Sequence, residues 1–176
     1  GGISRYPLID GLKALAAQFI LLHHMAAYGP LSDAVQHAFP DLISWLYDYG
    51  RMAVQVFLVL GGYLAARVLA NGFGQGAAAS LRQFVTITVK RYLRLTLPFL
   101  GTLLLAMAGA ALARHWAEGV DFIPAAPALD QFLAHGLLLH GVLGYESLSA
   151  GVWYVAIDFQ LFILLAALLW LAERGT

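Results

Sequence analysis

Long apolar segments alternate with short polar ones along the chain, and five of them predict membrane helices. At a rise of about 1.5 Å per residue, about 20 apolar residues cross the hydrocarbon of a bilayer. The segments at 8–28, 52–70, 95–113 and Val152–Ala172 have this length, whereas the segment at 128–143 is shorter and carries two histidines. We therefore expect ordinary spans at 8–28, 52–70, 95–113 and Val152–Ala172, and a tilted or partly buried helix at 128–143.

A glycine-rich connector at 71–79 follows the second segment, and a basic amphipathic stretch at 81–94 precedes the third. A stretch of this type is expected to lie along the membrane surface. We find neither an internal repeat nor a soluble domain in the sequence. The pattern predicts an all-α protein, a polytopic membrane helix bundle with about five transmembrane segments.

Composition supports a membrane protein. Of 176 residues, 61% are hydrophobic and 11% are charged, whereas soluble domains are about 45–50% apolar. The basic residues are scattered and balanced by acidic ones, which excludes a nucleic-acid footprint. The absence of cysteine excludes disulfides, thiol catalysis and thiolate metal sites.

The distribution of lysine and arginine predicts the orientation, because cytoplasmic loops carry an excess of both. In a five-span topology one side carries Arg5, Lys13, Arg67, Arg82, Lys90, Arg91 and Arg94, and the other carries Arg51, Arg114 and Arg174. The N-terminus is therefore predicted to be cytoplasmic.

Two polar residues of the first segment, Lys13 and His24, project from one helix face, about 20° apart at 100° per residue. Asp10 shares that stripe, about 40° from His24. Ionisable residues in such a helix usually face protein or water rather than lipid. Two interpretations remain open: Asp10 and Lys13 form an ion pair at the membrane boundary, or His24 is a general base. His23 points to another face and is expected to pack or to support its neighbour.

A second group of polar residues lies farther along the chain. Arg91 and Arg94 are three residues apart in a basic run with Lys90, so their side chains are adjacent on a helix. Two such guanidinium groups can clamp phosphates, but they can also anchor a helix at the cytoplasmic surface. Asp158 lies inside the last apolar segment and needs a partner, either Tyr154 one turn earlier or a cation from another helix. Ion pairing and catalysis are both open for Asp158.

A metal site is not expected. His135 and His140 would lie about 140° apart on a helix, and the neighbours His23 and His24 diverge. The chain also lacks an H-x-x-x-H pattern. The Gly61 and Gly62 pair is interpreted as a site of close helix packing.

Taken in order, these motifs resemble the acyltransferase-3 family of integral membrane acyltransferases, which includes bacterial O-acetyltransferases of polysaccharides and peptidoglycan. The matching segments are 9–17 for the opening I-D-G-L-R-A-x-A-x, Lys13 to His24 for R/K-x(10)-H, 54–64 for V-D-x-F-F-V-x-S-G-F-L, Arg91 to Arg94 for R-x-x-R, and Trp153 to Asp158 for W-x(4)-E. Three positions depart from the pattern. Gln55 stands where the family usually has Asp, Gly61 where it often has Ser, and Asp158 where Glu is common.

The resemblance implies an enzyme that takes an acyl group, most often acetyl, from coenzyme A and delivers it to a hydroxyl, commonly of a cell-surface saccharide. It implies acetyl-CoA as donor, no metal, and an integral protein of the bacterial inner membrane. The expected catalytic residues are His24, Asp10, Lys13 and Asp158, and the expected donor-binding residues are Arg91, Arg94 and Lys90. In this mechanism His24 deprotonates the acceptor hydroxyl, and Asp10 or another carboxylate orients the imidazole.

Family members run to about twice this length, so residues 1–176 are expected to form the N-terminal part of one membrane-embedded acyltransferase domain. The alternative to an enzyme is a transporter or proton relay that uses Asp10, Lys13, His24 and Asp158. That alternative explains the buried polar groups but not the order of the motifs.

Overall fold

A computed structural model describes residues 6–27, 30–70, 73, 77–116 and 126–173. Within these residues the protein contains helices and no strand, which confirms the predicted all-α class. The helices are α1 (Pro7–Ala27), α2 (Pro30–Ala38), α3 (Pro40–Tyr49), a 3-10 turn (Gly50–Met52), α4 (Ala53–Leu69), α5 (Ala77–Trp116), α6 (Leu129–Gly136) and α7 (Val152–Ala172).

Three helical stretches of the described chain are long and apolar enough to cross a membrane: Pro40–Leu69, Ser80–Trp116 and Val152–Ala172. They correspond to the second, third and fifth predicted segments. The predicted number of about five is therefore approximate. The chain divides into two compact units, Gly1–Ala65 and Ala66–Thr176.

In the first unit, α1 packs against α3 and the 3-10 turn. Phe19 and Trp45 meet edge to face, with ring centroids 6.0 Å apart. Pro40 stands in the first turn of α3, where its missing N–H costs no helical hydrogen bond. These contacts fix the second half of α1 on its neighbour.

In the second unit, α5 and α7 run antiparallel. Contacts pair the start of α5 with the end of α7, where Phe84 stacks on Trp170 with ring centroids 5.5 Å apart. Farther along α5, Tyr92 lies 5.5 Å from Phe159 between ring centroids. The core of this unit is formed by Phe99, Leu103, Leu138, Val152, Ala156 and Phe159.

The α5 helix corrects one prediction. The basic stretch at 81–94 does not form a separate surface helix but continues into the third apolar segment as a single helix of 40 residues. Pro98 lies inside this helix without ending it. Because one face of the basic stretch packs on α7, its cations lie beside a membrane helix rather than on a detached surface helix.

The segment at 128–143 forms the short helix α6 and a tight turn, in agreement with the expectation that it is not an ordinary span. We call residues 129–151 the α6 hairpin, because the chain turns back after α6 to reach the first residue of α7. The Tyr145 hydroxyl donates to Asp130 Oδ2 at 2.9 Å between its two arms. This bond lowers the pKa of Asp130 and raises that of Tyr145.

The hairpin explains the direction of α7. If each of the five predicted segments crossed the membrane in turn, α5 and α7 would point in the same direction. The structure makes them antiparallel, because α6 is too short to cross. The end of α7 therefore lies beside the start of α5, where Glu173 Oε2 accepts a hydrogen bond from the Phe73 N–H at 2.8 Å. Arg174, which the five-span topology assigned to the opposite side, lies outside the described residues.

Cysteine labelling can test this topology, because the wild-type chain contains no cysteine. We expect single cysteines at the exposed positions Leu81 and Leu171 to react with an impermeant maleimide from one side of oriented vesicles. Cysteines at Trp116 and Ser147 should react from the other side. Labelling of Ser147→Cys from the same side as Leu81→Cys would show that the hairpin crosses the membrane.

Candidate functional site

An ion pair joins α5 to α7 in the second unit. Arg91 Nη2 lies 2.7 Å from Asp158 Oδ2, and the two side chains are 28% and 11% exposed. The Arg91 guanidinium also lies over the ring of Phe162, 4.7 Å from its centroid. Of the two partners expected for Asp158, Tyr154 or a cation from another helix, the structure shows the cation, which comes from α5.

The surroundings of this pair determine its role. Asp158 is six residues into α7, about 9 Å along the helix from its first residue. An unpaired carboxylate at such a place is costly, and Arg91 supplies both a charge and a hydrogen bond. The Arg91 Nε atom is buried and has no hydrogen-bond partner in the described residues.

Lys90 and Arg94 differ from Arg91 in their surroundings. Both side chains are exposed, and neither forms an ion pair within the described residues. Arg94 is one turn from Arg91 on the same helix face. The basic run therefore combines one cation that is fixed by a carboxylate with two that are open to a ligand.

The first unit carries Asp10, Lys13 and His24 on the continuous helix α1. Asp10 is exposed, whereas Lys13 and His24 are half-buried. The described residues show no ion pair between Asp10 and Lys13. At 1.5 Å per residue, fourteen residues place Asp10 about 21 Å from His24, so Asp10 cannot orient this imidazole.

His23 supports the position of His24, as its face on the helix predicted. Its Nδ1 is 3.2 Å from the carbonyl oxygen of Leu46 on α3, and its ring centroid is 5.4 Å from that of His24. Close packing makes this contact possible. A Cβ added at Gly50 would lie 2.8 Å from the Cβ of His23 and 3.2 Å from the carbonyl oxygen of Phe19.

The second apolar segment gives a different result. A Cβ added at Gly62 would meet no atom within 4 Å, so the interpretation of Gly62 as a close-packing position is wrong in this part of the chain. Gln55 is exposed on α4. Gln55, one of the departures from the family pattern, therefore shares with Gly62 a helix face that has little packing in the described residues.

Sequence reasoning missed a pair of histidines. His135 and His140 would diverge on a continuous helix, but α6 ends at Gly136 and the chain turns. Their rings consequently stack, with centroids 4.0 Å apart and planes 6° from parallel. Within the described residues, no group of three or more His, Cys, Asp or Glu side chains could hold a metal ion.

Two further residues of the second unit, which are not motif positions, donate hydrogen bonds to backbone carbonyls of the α6 hairpin. Tyr92 donates its hydroxyl hydrogen to the carbonyl oxygen of Gly136 at 2.6 Å. The Gln160 amide donates to the carbonyl oxygen of Leu138 at 2.8 Å. The signal available in the sequence was proximity to the motifs, because Tyr92 is next to Arg91 and Gln160 is two residues after Asp158.

Comparison with known proteins agrees with the motifs. A family model described as an acyltransferase domain matches residues 6–176. The chain belongs to the acyltransferase-3 family. No curated protein and no solved structure matches it. The acyltransferase domain covers both compact units, so the α1 motif and the Arg91–Asp158 pair belong to one family domain, and the protein is an acyltransferase with membrane helices.

Replacement of Gly50 should test the support of the α1 motif. We expect Gly50→Ala to lower the free energy of unfolding by about 1–3 kcal/mol, because backbone atoms of α1 must move. Thermal unfolding in detergent would measure this effect. Gly62→Ala is the matched control, and it should be neutral or stabilising by up to about 1 kcal/mol. Equal melting temperatures for the two variants would contradict the packing at Gly50.

Removal of the Asp158 charge should weaken the second unit. Asp158→Asn leaves Arg91 without a counter-charge, and we expect a loss of about 1–3 kcal/mol in unfolding free energy, limited by the partial exposure of Arg91. Glu146→Gln, at an exposed carboxylate, is the control. The double variant Arg91→Met with Asp158→Leu should recover stability in the same unfolding assay. If Asp158→Asn were as stable as the control, the ion pair would not be what joins the helices.

Proposed function

We propose that this acyltransferase moves an acetyl group from acetyl-CoA to a hydroxyl of a cell-surface saccharide. The observation that carries the proposal is the basic face of α5, where Asp158 fixes Arg91 while Lys90 and Arg94 stay exposed. Phosphates of coenzyme A fit such a group, because guanidinium and ammonium groups make charge-assisted hydrogen bonds to phosphate oxygens.

Each cation has its own part in the proposed donor site. Arg94 and Lys90 bind the donor phosphates directly. Arg91 contributes its positive charge, and the bond to Asp158 holds it in place. The carboxylate of Asp158 is thus a positioning group, and its role is to hold a cation rather than to accept the proton of the acceptor.

His24 is the proposed general base. Its imidazole takes the proton of the acceptor hydroxyl, the hydroxyl oxygen attacks the thioester carbonyl, and the coenzyme A thiolate leaves. Lys13 lies about 16 Å away along α1, which is too far for direct contact with the same atoms. We assign Lys13 to the donor side, and Asp10, one turn before it, to the same end of the helix.

The proton-relay alternative is less well supported. A relay through Asp158 needs a carboxylate that gains and loses a proton, but Asp158 is bonded to Arg91 at 2.7 Å. A relay along α1 would also have to cross about 21 Å between Asp10 and His24. Under a pH gradient in proteoliposomes, the proposal expects acetyl-CoA consumption without proton flux.

Variants of His24 and Arg94 should separate chemistry from donor binding. His24→Ala should reduce acetyl transfer to a purified bacterial polysaccharide by at least about 100-fold without changing equilibrium binding of coenzyme A. Arg94→Ala should weaken coenzyme A binding by about 10-fold, the value of one charge-assisted hydrogen bond. Transfer of radiolabelled acetyl and calorimetric binding would measure the two effects.

Matched controls are available in the same two units. His37→Ala removes an exposed imidazole of α2, and Arg82→Ala removes an exposed guanidinium of α5. Neither should change transfer or binding. Near-normal turnover in His24→Ala would remove this residue from the mechanism, and unchanged binding in Arg94→Ala would remove the basic face from the donor site.

A further inference from the structure

The α6 hairpin contains a buried pair of imidazole rings that the proposed reaction does not use. His135 and His140 are 0% and 1% exposed, and their rings are parallel at a centroid distance of 4.0 Å. Histidine is rarely buried this completely without a polar reason. The pair lies at the end of the hairpin that contacts α5 and α7.

The hydrogen bonds of His135 require a neutral ring. Its Nδ1–H donates to the carbonyl oxygen of Gln131 at 2.8 Å. Its Nε2 accepts a hydrogen bond from the Leu148 N–H at 3.1 Å. Since an imidazolium can only donate, a proton on Nε2 would break the bond that ties the return arm of the hairpin to α6.

His140 differs, because neither of its ring nitrogens has a hydrogen-bond partner in the described residues. A positive charge on this ring would lack both water and a counter-ion, and it would face the ring of His135. Two carboxylates of the unit are already engaged, Asp130 by Tyr145 and Asp158 by Arg91. The other charged or titratable groups of the hairpin and of the helix segments beside it are Glu146, Tyr92 and Tyr154.

Strain is also present at this turn. Leu138 has a φ of 58° and is fully buried. A bulky residue in this region is strained and stays there only when its surroundings hold it. The bond from Gln160 to the Leu138 carbonyl and the stacked histidines are among those surroundings.

The hairpin is attached next to the ion pair. Tyr92, which bonds to Gly136, follows Arg91 directly on α5. Gln160, which bonds to Leu138, is two residues after Asp158 on α7. The two attachments therefore fix the register of α5 and α7 at the level where Arg91 meets Asp158.

We propose that Tyr92 and Gln160 are positioning residues, through which the α6 hairpin holds Arg91 in place, and that protonation of His140, stacked on His135, releases the hairpin. Only the consequence for coenzyme A rests on the proposed function. The reaction is proton binding from solution to an imidazole nitrogen of His140, with no other covalent bond made or broken. The proton places a positive charge on this buried ring, and the strained turn at Leu138 then relaxes.

The direction of the pH effect follows from linkage. In the native hairpin, burial of His140 disfavours its charged form and lowers its pKa, and the neighbouring His135 adds to this effect, whereas a released hairpin exposes the ring to water, where imidazole titrates at about 6.5. The released form therefore binds more protons, and the native form loses stability as the pH falls through this range. Above a pH of about 6.5, imidazole is mostly neutral in both forms, and protonation no longer changes the stability of the native hairpin.

A spin label at Gly141 can follow the release. This residue is exposed, an added Cβ meets no atom within 4 Å, and the chain has no other cysteine. In nanodiscs, a nitroxide on Gly141→Cys should gain mobility and access to a water-soluble relaxation agent as the pH is lowered below about 6.5. The change should reverse when the pH is raised.

Substitutions at the pair and at its attachment sharpen the test. His140→Phe keeps a ring for stacking but cannot take a proton, so the label should no longer respond to pH in this range. His140→Leu serves the same purpose if the larger ring does not fit. Tyr92→Phe keeps its contact with Phe159 but loses the bond to Gly136, and it should move the transition to higher pH.

Controls separate release from general unfolding. A label at the exposed residue Leu161 of α7 should not respond to pH, and His37→Phe should leave the transition at Gly141 unchanged. A transition that persists unaltered in His140→Phe or His140→Leu would overturn the proposal. So would the absence of any transition in the wild-type protein.

Coenzyme A binding provides the functional measurement. We expect its affinity to fall over the same pH range in the wild type and to stay constant in His140→Phe. If the label responds but no donor binds at any pH, the hairpin proposal stands and the proposed function fails. If donor binding and turnover occur while the label never responds, the proposed function stands and the hairpin proposal fails.

Discussion

The second unit depends on one electrostatic contact, the ion pair between Arg91 and Asp158. A carboxylate within an apolar helix is stable only with a partner, and a guanidinium supplies charge and geometry together. This requirement sets the register of α5 and α7. The apolar contacts around it add packing energy, but side chains such as Leu and Phe would tolerate a shift of one turn far better than the ion pair would.

The same contact links the fold to the chemistry. A structural salt bridge and a ligand-binding cation are often treated as alternatives, yet the proposed function assigns both roles to one basic run. Asp158 holds Arg91 through one of its guanidinium donors. The exposed Lys90 and Arg94 extend the cationic face from this fixed point. In the proposed donor site the fold already orders Arg91, so less ordering is needed when a phosphate binds.

The α6 hairpin shows how irregular backbone can be placed beside membrane helices. Non-helical backbone is tolerated there only where its polar groups are satisfied inside the protein. Gly136 and Leu138, at the turn, offer their carbonyl groups to Tyr92 and Gln160. His135 satisfies a third backbone group, the N–H of Leu148. The turn is therefore built from bonds between side chains and backbone groups rather than from the hydrogen bonds of a helix.

Hydrophobic length and motif order determined much of this protein from its sequence. They were sufficient for the all-α class, for the spans in α5 and α7, for the family, and for the expectation that Asp158 needs a partner, either Tyr154 or a cation from another helix, because burial of apolar surface and desolvation of charge act locally. Tertiary structure alone decided which cation it is, that α5 and α7 are antiparallel, and that His135 and His140 stack. These features depend on where α6 ends and the chain turns. Helical periodicity predicts the relative directions of side chains only within one continuous helix, so it gives no prediction across that turn.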